Sequence, residues 1–265
     1  MKRILVSGAT GNIGCEVVHY LSEQALQAKI YVAARNIEAA KKRFSAYPNL
    51  EYRQFDFANS DTFTEAFKNI DLVFLLRPPQ ISNVEAVFLP LLKSAQESGI
   101  SEIVFLSVQG AEKSTVIPHN KIETLIQKLG FKYIFVRPSY FMQNLSTSLR
   151  SEIVNHQRIT LPSGRAKFNW IDVKNIGEAT AVLISQFDQH QNKAFEITGK
   201  ENMNFEALSA LMTEILGLKI KYKSINPLRF YFKKKGEGLK SDYALVLTIL
   251  HFLPRLQAEP RISEN

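Results

Sequence analysis

The sequence predicts an α/β fold with a doubly wound parallel sheet and a small C-terminal lobe. Short apolar runs alternate with amphipathic segments through the first 137 residues, as in chains built from βαβ units. The apolar runs are nearly uninterrupted, which is typical of parallel strands that helices cover on both faces. The first run, Ile4-Leu5-Val6, leads through the turn Gly8-Ala9-Thr10-Gly11-Asn12-Ile13-Gly14 into a helical pattern. These three observations together predict the fold class.

Each predicted strand of this N-terminal half is a run of mainly aliphatic and aromatic residues. The runs occupy residues 4–6, 30–34, 51–55, 71–76, 103–107 and 132–136. The segments between them show the apolar spacing of helices and occupy residues 15–21, 37–44, 60–68, 82–98 and 120–129. Strands separated by helices of this length need crossover connections, so we expect the sheet to be parallel.

The alternation changes after Pro138. Short strand candidates occupy residues 158–161, 168–171, 194–198 and 219–223, helices are predicted over 173–185 and 205–216, and residues 140–154 form a loop or a helix. We interpret residues 1–137 as the core and residues 138–265 as a smaller lobe that is interleaved with it in one compact unit.

Length and composition limit the class of protein. The chain has 265 residues, of which 45% are hydrophobic, as expected for one large domain or one domain with a small appendage. No window approaches the roughly 18 uninterrupted apolar residues of a membrane helix, and the N-terminal apolar run is too short for a secretory leader. The single cysteine, Cys15, leaves no thiolate metal cluster. We therefore expect a cytoplasmic protein without a metal or a membrane partner.

The net charge of +8 is concentrated in part in two basic runs, Lys41-Lys42-Arg43 and Lys233-Lys234-Lys235. We interpret this excess as solvated faces, with the attraction of an anionic cofactor as the alternative. No helix-turn-helix, zinc-finger or basic-zipper pattern is present, so no nucleic-acid partner is expected. The second run follows Phe230-Tyr231-Phe232, and we interpret this mixed segment as a mobile lid or a solvated helix end, not as an RNA or membrane surface.

The glycine-rich turn has the pattern that holds the pyrophosphate of a dinucleotide. Gly8 permits the tight turn, Gly11 lets the backbone approach the phosphates, and Gly14 lets helix and strand pack closely. The helix N-terminus adds free N–H groups and a partial positive charge. We therefore expect a Rossmann fold whose core binds NAD(P). The expected contacts in this turn are Gly8, Thr10, Gly11, Asn12, Ile13 and Gly14.

Arg35 follows the second predicted strand, where an acidic residue would bind the ribose 2′-hydroxyl of NAD. A guanidinium at this position can pair with a 2′-phosphate, and such a charge-assisted bond contributes about 1.5–3 kcal/mol. We therefore expect NADP as the cofactor, with NADPH preferred over NADH. The alternative is that Arg35 stacks on the adenine without selecting a phosphate.

Two further strand ends carry candidate cofactor contacts. Asp56 and Phe57 end the third strand, where a carboxylate can accept from the adenine amino group or can serve only a turn. Leu75, Leu76 and Arg77 end the fourth strand, along the crevice where ligands lie beyond the carboxyl ends of strands. Arg77 can meet a phosphate or an acidic substrate, or it is a surface arginine before Pro78-Pro79.

With these motifs the chain resembles an atypical member of the short-chain dehydrogenase/reductase superfamily. The resemblance is to the NmrA-like group, with its NADPH-dependent quinone reductases and triphenylmethane reductases. It extends over nearly the whole chain. The matching features are residues 8–14, Arg35, Asp56, Ser107, Arg137-Pro138, Phe141-Met142-Gln143-Asn144, Phe168-Asn169-Trp170-Ile171-Asp172-Val173, Asn175-Ile176-Gly177 and the helix 205–216.

The chain departs from the superfamily at the catalytic positions. The resemblance implies a serine, a tyrosine about a dozen residues later and a lysine four residues after the tyrosine. Ser107 is present, but His119 occupies the tyrosine position and Glu123 the lysine position, while Lys121 lies off the shared helical face. Losing a positioned acid–base residue costs about 10²–10⁴ in rate, so oxidation of a plain secondary alcohol is not expected.

Two functions are consistent with this departure. In the first, the protein reduces a small conjugated acceptor, such as a quinone or a cationic dye, with Ser107 and His119 as catalytic candidates. Tyr140, Phe141 and Asn144 then bind the substrate, since the resemblance places the substrate wall after the sixth strand, with core packing as the alternative for the aromatic residues. In the second, the protein binds NADP without turnover and reports redox state to a protein partner, as the resemblance also permits.

Overall fold

A computed structural model describes residues 1–24, 27–81, 83–113, 115 and 117–264 of the chain. The described residues form two units. Unit 1 comprises Met1–Pro138 and Val173–Ile197, and unit 2 comprises Ser139–Asp172 and Thr198–Glu264. The expected boundary after Arg137 lies one residue from the first observed one. Residues 173–197, which were expected in the C-terminal lobe, belong to unit 1.

The strands and helices are numbered along the chain through both units. The strands are β1 Lys2–Val6, β2 Ala28–Ala34, β3 Glu51–Gln54, β4 Leu72–Leu76, β5 Glu102–Leu106, β6 Lys132–Pro138, β7 Tyr140–Phe141, β8 Arg158–Leu161, β9 Lys167–Ile171, β10 Lys193–Ile197, β11 Asn202–Asn204 and β12 Lys221–Ser224. The α-helices are α1 Asn12–Glu23, α2 Ile37–Arg43, α3 Phe63–Phe67, α4 Val84–Glu97, α5 Pro118–Lys128, α6 Arg150–His156, α7 Val173–Ser185, α8 Phe187–His190, α9 Phe205–Leu216, α10 Pro227–Gly236 and α11 Ser241–Phe252.

Unit 1 is built on a seven-stranded sheet in the order β10-β6-β5-β4-β1-β2-β3. Every neighbouring pair in it is parallel, which confirms the predicted fold class. The strands carry large side chains that are fully buried, among them Phe74, Phe105 and Phe135. This burial explains why β4, β5 and β6 are almost uninterrupted apolar runs in the sequence.

Helix starts in unit 1 follow the sequence signals closely. Asn36 caps α2 by accepting from the N–H of Ala39 at 2.9 Å, and Asn83 caps α4 by accepting from Ala86 at 3.1 Å. The helix predicted over 82–98 therefore begins at Val84, while Ser82 lies outside the described residues. The helix predicted over 173–185 is α7.

Residues 173–197 return to unit 1 for two reasons. The backbone of β10 pairs in parallel with β6, which adds the seventh strand to the sheet. Helix α7 packs on α1 at Gly177, where an added Cβ would collide with the Cβ of Glu16. Because only glycine permits this approach, α7 lies against the first helix of the unit.

Unit 2 has a three-stranded sheet in the order β11-β9-β7 and a separate parallel pair, β12 and β8. Its core is a cluster of rings in which Phe168, Trp170 and Phe205 lie about Tyr140. Residues 140–154, expected as a loop or a helix, contain β7 and α6.

The basic segment of residues 230–235 lies within α10, with its lysines in the last turn. They stand at a helix end as expected, but Lys233 and Lys234 are only 28% and 11% exposed and pair with carboxylates, so the end is not simply solvated. Helix α11 was not predicted, because its apolar residues are almost continuous and show no helical period. In the part of the chain that the structure describes, no helix combines the length and apolarity needed to cross a membrane.

Candidate functional site

The glycine-rich turn connects β1 to α1 at the carboxyl edge of the sheet of unit 1. Gly8 has a φ of +57°, and its carbonyl accepts from the N–H of Gly11 at 2.9 Å. Gly11 is the N-cap of α1, and the first intrahelical bond runs from the N–H of Cys15 to the Gly11 carbonyl. The first turn of α1 contains no acidic residue, so its N–H groups present an anion-binding helix N-terminus.

Added Cβ atoms show why three glycines occur here. A Cβ at Gly14 would collide with the carbonyl of Gly8, and a Cβ at Gly8 would lie 2.6 Å from the Leu76 side chain. A Cβ at Gly11 would lie 3.2 Å from the Gly8 oxygen. Thr10 and Asn12 are exposed between them, while Ile13 is buried. The turn is thus a cradle of backbone that a diphosphate can approach closely.

Arg35 follows β2 directly, at the same carboxyl edge, because β2 pairs in parallel with β1. Its side chain is exposed, and its carbonyl accepts from the side-chain amide of Gln54 at 2.9 Å. None of the ion pairs among the described residues involves its guanidinium. The guanidinium is therefore available to an anionic group at this end of the sheet.

Asp56 and Phe57 follow β3 at that edge. One carboxylate oxygen of Asp56 accepts from the N–H of Ala58 at 3.0 Å, so this residue does organise a turn. Phe57 is partly buried and packs edge-on against Phe55 with ring centroids 4.9 Å apart. The turn role and an adenine contact use different oxygens of the carboxylate and are compatible.

Arg77 stabilises the loop that follows β4 through hydrogen bonds to its backbone. Its Nη1 donates to the carbonyl of Ile81 at 2.6 Å and to that of Pro79 at 3.2 Å. Leu75 is buried, whereas Leu76 is half-buried and lies against Gly8. Arg77 thus adds positive charge to the edge of the sheet and also determines the path of the loop.

Ser107 follows β5 and is buried, with its hydroxyl donating to Oε1 of Glu123 at 2.5 Å. The Glu123 carboxylate also accepts from Arg137, from Nε at 3.0 Å and from Nη2 at 2.6 Å. Arg137 Nη1 donates in turn to Glu112 at 2.8 Å. Burial lowers the pKa of Arg137, but the bond to Glu123 and the nearby carboxylates outweigh it and raise that pKa overall.

Glu123 is therefore a buried carboxylate in a bidentate ion pair with Arg137. The Ser107 hydroxyl therefore donates its proton into this ion pair. Glu123 and Arg137 are the residues that sequence reasoning did not assign to the site. The sequence does contain a signal for both residues, because Glu123 lies one helical turn after His119 and Arg137 lies at the end of a predicted strand.

His119 is the second residue of α5 and is half-buried. Its ring lies 6.1 Å from that of Phe105, between centroids. Burial, with the positive charge of Arg77, lowers the pKa of His119 to about 3. The imidazole is therefore neutral at physiological pH, and it can donate one N–H without acting as a cationic acid.

The three candidate substrate residues lie in unit 2. Tyr140 is buried, and its hydroxyl bonds Nε2 of His251 at 2.9 Å. Because Nδ1 of His251 bonds the Leu247 carbonyl at 2.7 Å, Nε2 is the acceptor and Tyr140 the donor. Phe141 and Asn144 are half-buried. Burial raises the pKa of Tyr140 well above its usual value.

Comparison with known proteins adds independent findings. The model of the NmrA-like family matches residues 1–247. The chain is 30% identical over 249 residues to Prestalk A differentiation protein A of Dictyostelium discoideum, which covers 93% of the chain and 80% of that protein. It is 27% identical over 254 residues to an NAD(P)H azoreductase of Xenophilus azovorans, covering 94% of the chain and 86% of that protein.

Similarity to a solved structure supports the fold. The NADPH-dependent quinone oxidoreductase of Escherichia coli, crystallised with NADPH, superposes with a TM-score of 0.82 at 21% identity. The match covers 98% of this chain and 92% of that one. Both the architecture and its extent along the chain are therefore shared with a dinucleotide-binding reductase.

Proposed function

The chain belongs to the NmrA-like family, and we propose that it is an NADPH-dependent reductase that transfers a hydride to a small conjugated acceptor. A quinone is the acceptor type that we favour. The relatives support the reaction class, since one is an NAD(P)H azoreductase and a structural neighbour is a quinone oxidoreductase. When bound, NADPH supplies the hydride.

The residues of unit 1 fit NADP. The backbone cradle at Gly8, Gly11 and Gly14 suits a diphosphate, because side chains at these positions would fill it. The exposed Arg35 guanidinium suits the 2′-phosphate that distinguishes NADP from NAD. We assign Asp56 and Phe57 to the adenine side and Leu75, Leu76 and Arg77 to the crevice wall.

The observation that carries the proposal is the ion pair of Glu123 with Arg137. We propose that Glu123, held in this pair, is the counterpart of the lysine that would activate a tyrosine, and that His119 is the counterpart of that tyrosine. Without this relay, the protein offers little acid–base catalysis for plain alcohols. An electron-poor acceptor needs less acid–base catalysis, because its own resonance delocalises the charge that hydride transfer creates.

The protein's own groups have limited roles in such a reaction. Neutral His119 donates one hydrogen bond near Arg77, and the final proton comes from solvent. Ser107 acts indirectly, through the buried hydrogen bond that its hydroxyl donates to Glu123. We propose Phe141 and Asn144 as substrate contacts, whereas Tyr140, which was also expected there, is buried in the ring cluster of unit 2 and bonds His251.

The first test follows NADPH absorbance with a panel of quinones and cationic dyes, with NADH in parallel. We expect turnover that favours NADPH. A Gly14→Ala variant should lose it, since its Cβ meets the Gly8 carbonyl, whereas Gly236→Ala should not, since a Cβ there meets nothing within 4 Å. Equal activity in Gly14→Ala would contradict the assigned cofactor turn.

A second function remains as the alternative, namely an NADP-binding regulator that acts through a protein partner. The low pKa of His119 and the buried hydroxyl of Ser107 favour it, because neither group is a proton donor at neutral pH. Calorimetry distinguishes the two functions. Tight NADP binding without turnover on any acceptor would support the regulator.

A further inference from the structure

The positive charge of the chain is concentrated in one short segment of unit 2. Residues 218–240 contain eight basic residues and one acidic residue, so this segment carries +7 of the chain's net charge of +8. The acidic residue, Glu237, is paired with Lys234 at 2.7 Å. Lys233 is also engaged, with Glu152 at 2.8 Å. The rest of the chain is therefore almost neutral.

Six cations of this segment are exposed, and one of them, Lys235, donates to the Ser241 hydroxyl at 2.6 Å. Each is exposed and takes part in no ion pair with any residue that the structure describes. They are Lys219, Lys221, Lys223, Arg229, Lys235 and Lys240. Such a group of like charges, without a carboxylate partner among the described residues, is suited to an extended anionic surface.

Helix α10 adds apolar side chains to this charge. Phe230 is buried, and the opposite face of the helix presents Leu228 and Phe232, one turn apart and each 67% exposed. Lys235 lies on the same face by helical spacing, with Arg229 at its margin. The helix is thus apolar on its solvent side, with cations beside the apolar residues.

Helix α11 packs against α10 and carries exposed apolar side chains of its own. Its buried side consists of Ala244, Thr248 and His251. The solvent side carries Leu245, Ile249 and Leu250, which are 51%, 41% and 44% exposed. Exposed aliphatic groups in this number mark a surface that meets another apolar phase or partner.

We propose that the outward face of α10 and α11, with the cations of residues 218–240, is a peripheral docking surface for anionic lipid bilayers. Leu228 and Phe232 enter the interface between headgroups and acyl chains, and the lysines contact anionic headgroups. This proposal departs from the expectation, drawn from composition, that the chain has no membrane partner. It does not depend on the proposed hydride acceptor.

Charge and side-chain type favour lipid over the other occupants. A second copy placed on the same face would bring two segments of +7 together, which repel. Proteins bind single-stranded nucleic acid by stacking its bases on aromatic side chains. The exposed apolar residues of α10 and α11 are mostly aliphatic, with Phe232 as the aromatic one among them. Aliphatic insertion with diffuse positive charge is the combination that bilayer surfaces select.

The test is cosedimentation of the full chain with vesicles of phosphatidylcholine and with an equimolar mixture of phosphatidylcholine and phosphatidylglycerol. We expect binding only to the anionic vesicles, with release at high salt because the charges are screened. Each basic side chain near such a surface strengthens binding by about fivefold. The double variant Arg229→Gln/Lys235→Gln should therefore weaken binding by at least about tenfold.

The apolar part is tested separately with Leu228→Ser/Phe232→Ser, which should also release the protein. Matched controls are Lys128→Glu and Val182→Ser, which change an exposed cation and an exposed aliphatic residue of unit 1. Both controls should bind like the wild type.

Three results would overturn the proposal. One is equal binding, or none, to the two kinds of vesicle. Another is a dimer in sedimentation velocity that Leu245→Ser/Ile249→Ser dissociates, since the face would then join two copies. The third is binding to an oligonucleotide and not to vesicles.

Discussion

Arg35 and His119 are the two residues for which the structure adds most to the chemistry inferred from the sequence. Arg35 stands exposed after β2 and forms no ion pair among the residues that the structure describes, so it keeps its charge for a ligand. His119 has the opposite character, because burial and Arg77 keep it neutral. We therefore assign Arg35 to the recognition of an anionic ligand group and His119 to hydrogen bonding as a neutral imidazole.

Replacing Arg35 with alanine should weaken NADPH binding by at least about tenfold, since a charge-assisted bond to phosphate contributes about 1.5–3 kcal/mol. Binding of NADH should hardly change, because NADH lacks the 2′-phosphate. Calorimetric titration of both cofactors onto both proteins measures the effect. Equal losses for NADPH and NADH would show that Arg35 only stacks on the adenine.

Replacing His119 with alanine should lower kcat/KM by less than about 100-fold, because a neutral imidazole contributes a hydrogen bond and not an acidic proton. With a pKa of about 3, the wild-type residue does not titrate above pH 5. The pH profile of kcat/KM should therefore show no inflection from His119 between pH 5 and 8. An inflection that disappears in the alanine variant would make His119 a general acid.

At the scale of elements, the ion pair of Glu123 with Arg137 joins α5 to β6 beneath the end of β5. Only 5% of the Glu123 side chain and 13% of the Arg137 side chain are exposed. Removing one partner of a buried pair leaves the other charge desolvated, which makes such pairs costly to break. Ser107, which follows β5, helix α5 and strand β6 are thus linked through one buried carboxylate.

Replacing Glu123 with alanine should lower the free energy of unfolding by about 3 kcal/mol, the lower end for a buried pair, because Arg137 keeps Glu112. The matched control is Asp71→Ala, which breaks the bidentate pair with Arg3 where the carboxylate is 37% exposed. That change should cost about 1 kcal/mol or less. Urea unfolding of the three proteins provides the comparison, and similar costs would mean that the Glu123 pair is well solvated.

At the scale of the whole molecule, each unit contains one histidine whose pKa falls on folding, His119 being half-buried and His251 buried. In unit 1 this is His119, and in unit 2 it is His251, whose pKa burial lowers to about 4. Their unfolded pKa values are about 6.5. Since the unfolded chain binds more protons below that value, stability is complete above about pH 6.5 and falls as the pH decreases toward 4.

Urea midpoints measured from pH 7.5 to pH 5 should therefore decrease before the carboxylates begin to titrate. His251→Gln should reduce the slope of this decrease, because it removes one of the two groups. His156→Gln, at an exposed position of unit 2, is the control and should leave the slope unchanged. An unaltered slope in His251→Gln would show that His251 is protonated in the folded protein.

Local patterns determined a large part of this protein. The parallel sheet, the glycine turn and the limits of α7 and α9 are recoverable from the sequence, because they depend on apolar periodicity and on single glycine or cap residues. The positions of Arg35 and Ser107 after their strands follow from the same alternation of apolar runs and amphipathic segments.

Other features depended on contacts between residues far apart in the chain. Residues 173–197 join unit 1 through the backbone pairing of β10 with β6, which no local pattern specifies. The bond of Ser107 to Glu123 and the pairing of Glu123 with Arg137 link three separate elements. Burial, which only the packed chain creates, makes His119 neutral. The sequence thus determined the elements and the candidate residues, whereas tertiary structure decided their partners and charge states, because desolvation and long-range pairing arise only on folding.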